Sequence, residues 1–375
     1  MLEFWRGKRV LITGDTGFKG TWLTKMLLNA GAKIFGYSTN RDVFPKVYTM
    51  CEFDKNPNYI HKNGEIQDLE SFLDFVYETR PEFIFHLAAQ AIVRECYKNP
   101  VYTYNTNVIG TTNVMEAIRL SQCVKSAVII TTDKVYENLN NSKHEYIESD
   151  RLNGFDPYSN SKSCAELVVD SYRKSYNITN VSTARAGNVI GGGDFSIDRI
   201  IPDCFRAATS NRPIEIRNPY SIRPYQFVLE ALNAYLLIAQ RQYEENKYGA
   251  YNIGPDVSDC VTTSELVNIF CEKWGNGLSW IDINKYVSNK AAPHEDNFLK
   301  LNCNKMKETF NWKPTWNITK AIEKTVEWYK FWLDDMLNVD KLMDRQIEEF
   351  YNDLGKWTRS KKWYKKVSCW LLPAI

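Results

Sequence analysis

Lys8-Arg9-Val10-Leu11-Ile12-Thr13-Gly14-Asp15-Thr16-Gly17-Phe18-Lys19-Gly20 is the stretch on which the fold turns. It starts as a short apolar run of strand type. Glycines follow at 14, 17 and 20, and Trp22-Leu23-Thr24-Lys25-Met26-Leu27-Leu28 then takes up helical spacing. A strand, a glycine loop and a helix in that order make an anion site. One glycine permits the tight turn, one lets backbone approach a pyrophosphate, one packs helix on strand, and the helix N-terminus faces the negative charge. The spacing is Gly-x-x-Gly-x-x-Gly, not the more familiar Gly-x-Gly-x-x-Gly.

Outward from the loop, Lys33-Ile34-Phe35-Gly36-Tyr37 reads as a second strand. An acidic residue at its end would bind an adenosine ribose 2′-hydroxyl. Ser38, Thr39, Asn40 and Arg41 stand there instead, with Asp42 beyond, so these residues leave the choice between NAD and NADP open. Glu82 to Gln90 is a strand ending in Leu87-Ala88-Ala89-Gln90, residues small enough for backbone to lie against a flat cofactor. Asn105 to Thr111 begins a helix in which Asn107 can stabilise a local backbone break. Ala127-Val128-Ile129-Ile130-Thr131-Thr132 is a buried strand whose polar end, Thr132-Asp133-Lys134, emerges at the sheet's carboxyl edge, where open α/β sheets bind ligands. Alternation of strands and helices up to about residue 190 predicts an α/β fold with a doubly wound parallel sheet.

Asp156-Pro157-Tyr158 reads as a helix start, with Asp156 capping free N–H groups and Pro157 at the first helical position. Tyr158 and Lys162 then lie one turn apart on one face. A lysine ammonium there favours the tyrosinate over the neutral phenol, whose ordinary pKa is about 10, and makes the tyrosine a usable base. Chance supplies Tyr-x-x-x-Lys in many helices; its coincidence with the glycine loop gives it weight.

The chain divides into a dinucleotide domain, 1–190, a smaller mixed α/β substrate lobe, 191–335, interleaved with it, and an extension, 336–375. Gly191-Gly192-Gly193-Asp194 lets the chain leave the sheet. Arg199, Arg217 and Arg223, in polar surroundings, suit a second diphosphate, and His294-Glu295 can close the pocket. The extension carries Trp357, Trp363 and Trp370 among lysines and is read as a terminal helix packed on the body or on another subunit, with contact to an anionic membrane surface as the alternative. With 47 basic and 45 acidic residues, charge gives no reason to expect nucleic acid, so a small-molecule ligand is the expectation. Nine singly scattered cysteines argue against a zinc ribbon or disulfide framework, and four separated histidines against a metal site. No apolar run approaches the ~20 residues of a membrane span, and the start has no signal-peptide pattern, so no stable membrane insertion and a cytoplasmic location are expected.

Taken in order, the glycine loop, Leu87-Ala88-Ala89-Gln90, Thr132-Asp133-Lys134, Tyr158-x-x-x-Lys162 and Arg185-Ala186-Gly187-Asn188-Val189-Ile190-Gly191-Gly192-Gly193-Asp194 resemble the extended short-chain dehydrogenase/reductases, a Rossmann-type family. Within them the chain is similar to the CDP-glucose 4,6-dehydratases, on Thr13 to Gly20, Asp156 to Lys162, Ile216 to Pro224 and His294-Glu295. The resemblance covers roughly residues 4 to 335. It implies NAD-dependent conversion of a nucleotide sugar, most simply CDP-glucose, to its 4-keto-6-deoxy product. Tyr158, helped by Thr132 and Lys162, would take the 4-hydroxyl proton; Asp133 would protonate the leaving 6-hydroxyl, and Lys134, held neutral, would take the C5 proton. Gly14, Thr16, Gly17, Phe18, Lys19, Gly20, Glu65, Ile66, Leu87, Ala88, Ala89, Gln90 and Asn107 would join Tyr158 and Lys162 around the cofactor. Arg94, Asn188, Asp194, Arg199, Arg217, Arg223, His294 and Glu295 would hold the substrate. The resemblance also implies a homodimer or homotetramer and deoxysugar supply to surface glycans such as lipopolysaccharide.

Asp15 stands where that family tends to have histidine, Glu65 where it has aspartate, and Phe195 and Tyr225 where tryptophans are expected. Rival readings are a dehydratase using another nucleotide, a 4-epimerase, which needs the tyrosine and lysine but not Asp133 and Lys134, and a dinucleotide-binding protein without catalysis.

Overall fold

The computed structural model describes residues 2–39, 45–141, 143–283 and 298–368, with side chains as far as 355. Arg41, Asp42, His294, Glu295 and the tail tryptophans lie outside the described residues or side chains. Seven strands form one sheet: β1 (Arg9–Thr13), β2 (Lys33–Ser38), β3 (Tyr59–Asn63), β4 (Phe83–His86), β5 (Ser126–Ile130), β6 (Val181–Ala186) and β7 (Ala250–Ile253). Their order is β3-β2-β1-β4-β5-β6-β7 and every neighbouring pair is parallel. The order reverses direction between β1 and β4, which opens a crevice at the carboxyl ends of those two strands.

Both faces of the sheet are buried, so alternate residues of one strand enter two different cores. Val10 and Ile12 of β1 pack with Ile34, Phe83 and Phe85 on one side, whereas Leu11 packs with Phe35, Ile84 and Ile129 on the other. Helices Phe18–Asn29 and Val228–Glu245 pack together on the first side, the latter also against β5 and β6. Helices Leu69–Thr79, Gly110–Leu120 and Pro157–Tyr176 form the layer on the second. β7 comes from residue 250 onward, so the sheet is completed by a segment beyond the first 190 residues. Its short run, Ala250-Tyr251-Asn252-Ile253, contains an asparagine that weakens the strand signal.

The helix Val339–Ser368 packs on the helix Ile318–Asp334 through Val339, Leu342, Met343, Ile347 and Phe350, all buried. Lys25 of the glycine-loop helix reaches Asp344 at 3.0 Å, tying the two ends of the chain together. No helix among the described residues is long and apolar enough to cross a membrane.

Glu230, buried on the helix Val228–Glu245, accepts the backbone N–H groups of Thr315 at 2.9 Å and Trp316 at 2.6 Å, and so pins the approach to the helix Ile318–Asp334. Burial pushes its carboxyl up to about 8. The folded chain therefore keeps a proton that the unfolded chain releases above about 4.3, and the stabilisation is lost as pH rises through the folded value. Wild-type stability should fall by on the order of a few kcal/mol as pH rises from about 4.3 to about 8, and Glu230→Gln should flatten that fall in a denaturant-melt series.

Candidate active site

The site is a cleft at the carboxyl end of the sheet, walled by the glycine loop, the ends of β4 and β5, the Tyr158 helix and the segments 186–203 and 215–225. Its lining includes cations Lys19, Arg94, Lys134, Lys162, Arg199, Arg217 and Arg223 against acids Asp133, Asp194, Asp198, Asp203 and Glu215, a balance suited to diphosphates.

The glycine loop is shaped by what a side chain would strike. Gly14 has φ of +74°, and a Cβ on it would lie 2.8 Å from the backbone nitrogen of Ala88. A Cβ on Gly20 would lie 2.1 Å from the carbonyl of Gly14. Helix Phe18–Asn29 starts at Gly17 with no side chain capping its free N–H groups, leaving them for an anion. These residues fit the pyrophosphate of a dinucleotide. Gly20→Ala should cost about 2 kcal/mol or more of stability and abolish dinucleotide binding, checked by thermal melts and by titration with NAD.

Phe18, Lys19, Leu87 and Ala89 line the cleft. Ala88 donates its N–H to Thr13 at 3.2 Å, and Thr16 pairs with Ser38 at 2.9 Å at the end of β2. Gln90 is held by Asn107, which accepts its N–H at 2.8 Å and donates to its carbonyl at 3.0 Å. Asn107 also donates to Ser161 at 2.8 Å, from a wide π-turn spanning Asn105–Ile109, so it links the cofactor loop to the Tyr158 helix. Ile66 is buried, Glu65 is exposed, and neither lines the cleft. Asp15 is fully buried and accepts the Tyr59 hydroxyl at 2.5 Å, with His61 Nδ1 at 3.0 Å, so the acid in the glycine loop is turned toward β3 and away from the cleft.

Asp156 caps its helix as the sequence predicts, accepting the N–H groups of Tyr158 at 2.9 Å and Ser159 at 3.0 Å, with Pro157 at the first position. Thr132, Asp133, Lys134, Tyr158 and Lys162 all line the same cleft. Thr132 donates to Asp133 at 3.0 Å and accepts the N–H of Lys134 at 3.4 Å, closing the turn Asp133–Val135. Asp133 is 2 % exposed, and Lys134 is half-buried.

The electrostatics depart from the sequence expectation. Burial pushes the Tyr158 phenol up to about 12, opposed by the hydrogen bond with Thr132 and by the Arg199 charge. Lys162 is not among the largest influences on it. The lysine instead donates to the carbonyl of Ile130 at 3.0 Å, and burial brings it down to about 8 while Glu166 opposes the change. Helical spacing places two side chains on one face, but their charges depend on which atoms surround them. Lys19 is brought down to about 7 by burial and by Arg199 and Lys162.

On the substrate side, Arg199 meets Asp194 at 3.5 Å and Arg94 meets Asp198 at 3.1 Å, so two of the expected clamps are held by carboxylates across the mouth of the cleft. Arg217, Arg223 and Asn188 line the cleft, and the Asn188 carbonyl accepts the N–H of Gln226 at 2.8 Å.

The sequence profile of the family described as GDP-mannose 4,6 dehydratase matches residues 11–325. That span holds the glycine loop, the Thr132 turn and the Tyr158 helix. The chain belongs to this family. Among family relatives, the CDP-glucose 4,6-dehydratase of Salmonella typhimurium is 40% identical over 361 residues, covering 93% of this chain and 97% of that protein. Among solved structures, the dTDP-glucose 4,6-dehydratase of Bacillus anthracis in complex with NAD superposes with a TM-score of 0.73 at 23% identity, over 86% of this chain and 97% of that one. A UDP-glucose 4-epimerase from Thermotoga maritima, with UDP-glucose, gives 0.73 at 20% identity over 86% and 99%. The last two show the Rossmann-type fold shared across this dehydratase family and the epimerases. In this member of the dehydratase family, the cleft also gathers residues that sequence reading did not single out. Glu215, Ser221 and Thr263 line it, and Tyr235 faces Lys19 with its ring centre 5.9 Å from the ammonium. They come from segments remote in sequence, and no local spacing announces them.

Proposed function

We propose that this protein is an NAD-dependent CDP-glucose 4,6-dehydratase, a lyase forming CDP-4-keto-6-deoxyglucose and water. One observation carries the reading: Asp133 and Lys134 line the same cleft as Thr132, Tyr158 and Lys162, so a second acid and base stand beside the oxidation pair. An epimerase has no use for that second pair. The relative at 40% identity supports CDP-glucose as substrate.

Bound NAD would supply a hydride acceptor for C4 and return the hydride to C6. Tyr158, lining the cleft with Thr132, takes the 4-hydroxyl proton, and Lys162 would hold the nicotinamide ribose. The resulting ketone acidifies the C5 proton, which Lys134 takes, while Asp133 donates the proton with which the C6 hydroxyl leaves as water. A proton returned to C5 completes the 4-keto-6-deoxy sugar. Hydroxide is a poor leaving group, so the acid is as necessary as the base.

Val101, Ile109, Leu120 and Leu167 stand exposed on or beside the helices carrying Asn107 and Tyr158. They support a homodimer formed through this face. Light scattering should give a dimer mass for the wild type and a monomer mass for Leu167→Glu, since an introduced charge on an apolar interface is costly. On the same reading the enzyme works in the cytoplasm and feeds a deoxysugar to surface glycans such as lipopolysaccharide.

The test is to incubate purified protein and NAD with CDP-, dTDP-, UDP- and GDP-glucose and follow the alkali-induced absorbance of a 4-keto-6-deoxy product. Product from CDP-glucose alone is expected. Product from another donor alone would move the base specificity, and none from any donor would overturn the reading.

A further inference from the structure

The turn bearing Asp133 and Lys134 is flanked by Thr131 and Tyr136, and both flanks end on one buried ion pair. Glu166, 4 % exposed, lies one helical turn beyond Lys162 on the helix Pro157–Tyr176. Its Oε1 accepts the Thr131 hydroxyl at 2.5 Å; its Oε2 accepts the Thr183 hydroxyl at 2.8 Å and an Arg185 N–H at 2.9 Å. Arg185, 4 % exposed on β6, donates its other terminal nitrogen to the Tyr136 hydroxyl and the Glu148 carbonyl, both at 2.9 Å. The Tyr136 hydroxyl in turn donates to Asn252 of β7 at 2.6 Å. The turn is thus gripped at its entry through Glu166 and at its exit through Arg185.

A buried ion pair adds little to net stability once the desolvation of both charges is counted, so stability alone is a poor reason for this one. What it supplies is direction, because several charge-assisted hydrogen bonds from two fixed elements hold both flanks of a short turn. Burial works against the Glu166 charge, yet Arg185 and the two threonines keep its carboxyl below the usual range, so the grip stays ionic.

Resting on the dehydratase reading, we infer that Glu166 and Arg185 are the positioning pair of the catalytic turn. They hold the acid and base of the elimination step, Asp133 and Lys134, in register with the oxidation pair, Tyr158 and Lys162, which shares its helix with Glu166. Loosening the grip should therefore slow elimination and spare oxidation at C4.

The double variant Thr131→Val with Tyr136→Phe removes both tethers and leaves the ion pair intact, so no lone charge is stranded in the core. Expected are product formation reduced about 100-fold, the order that a small misplacement costs, with KM for CDP-glucose unchanged. In a single turnover, C4 oxidation should proceed and the absorbance of reduced nicotinamide should accumulate. Thr131→Ser, which keeps the hydroxyl, should restore the wild-type pattern. Normal product formation by the double variant, equal slowing of oxidation and elimination, or a Thr131→Ser defect as large as that of Thr131→Val would overturn the inference. Wild-type protein that turns over no nucleotide sugar would instead sink the reading beneath it.

Discussion

Tyr158→Phe should lower the rate of C4 oxidation by roughly a thousandfold, within the range that a positioned general base supplies. The phenylalanine keeps the ring in the cleft wall and removes only the proton acceptor, so NAD binding should persist and KM should change little. Wild-type enzyme makes the sharper test through its pH profile. Burial holds the phenol at about 12, so the tyrosinate fraction, and with it the free-enzyme rate, should rise across the neutral and alkaline range. The hydrogen bond with Thr132 works in the opposite sense to burial and lowers the phenol's pKa. Thr132→Val should therefore move the rising limb to higher pH, and a limb that stays in place would detach Thr132 from the base.

Lys134→Met and Asp133→Asn should both stop the elimination of water, by roughly a hundredfold to ten-thousandfold, but at different points. Without Lys134 the C5 proton stays on the sugar, so neither deuterium from solvent nor water loss is seen while C4 oxidation continues. Without the Asp133 acid, C5 still exchanges with solvent, but the C6 oxygen does not leave. Mass spectrometry of recovered sugar after incubation in deuterium oxide separates the two. A Lys134→Met variant that eliminates water at the normal rate would remove that lysine from the chemistry.

Much of this was legible because the signals are local. Gly14, Gly17 and Gly20 announce their loop, since the turn, the backbone contact and the helix packing fall within seven residues. Asp156 and Pro157 announce their helix because a cap acts on N–H groups two and three residues away. The members of the Glu166, Arg185 and Tyr136 network lie 19 to 49 residues apart in sequence, and only the parallel order of β5, β6 and β7 brings them together. Charge was the least legible property. Tyr158 and Lys162 have the spacing that implies mutual influence, yet Lys162 donates to Ile130 and burial is the largest influence on the phenol. Arg94 has the composition of an anion clamp, and whether it meets a ligand or Asp198 depends on a loop more than one hundred residues away.

The helix Val228–Glu245 covers the sheet against β5 and β6 while β7 extends it, and both come after residue 190. A boundary drawn at residue 190 therefore does not separate exchangeable parts. A chimera joined at residue 190, taking its second half from a relative with another sugar, would replace the cover of its own cofactor fold and the Asn252 partner of Tyr136 along with the sugar contacts. On the proposed reading, a change of substrate preference in this architecture would be made by editing loops such as 194–199 and 215–223 in place.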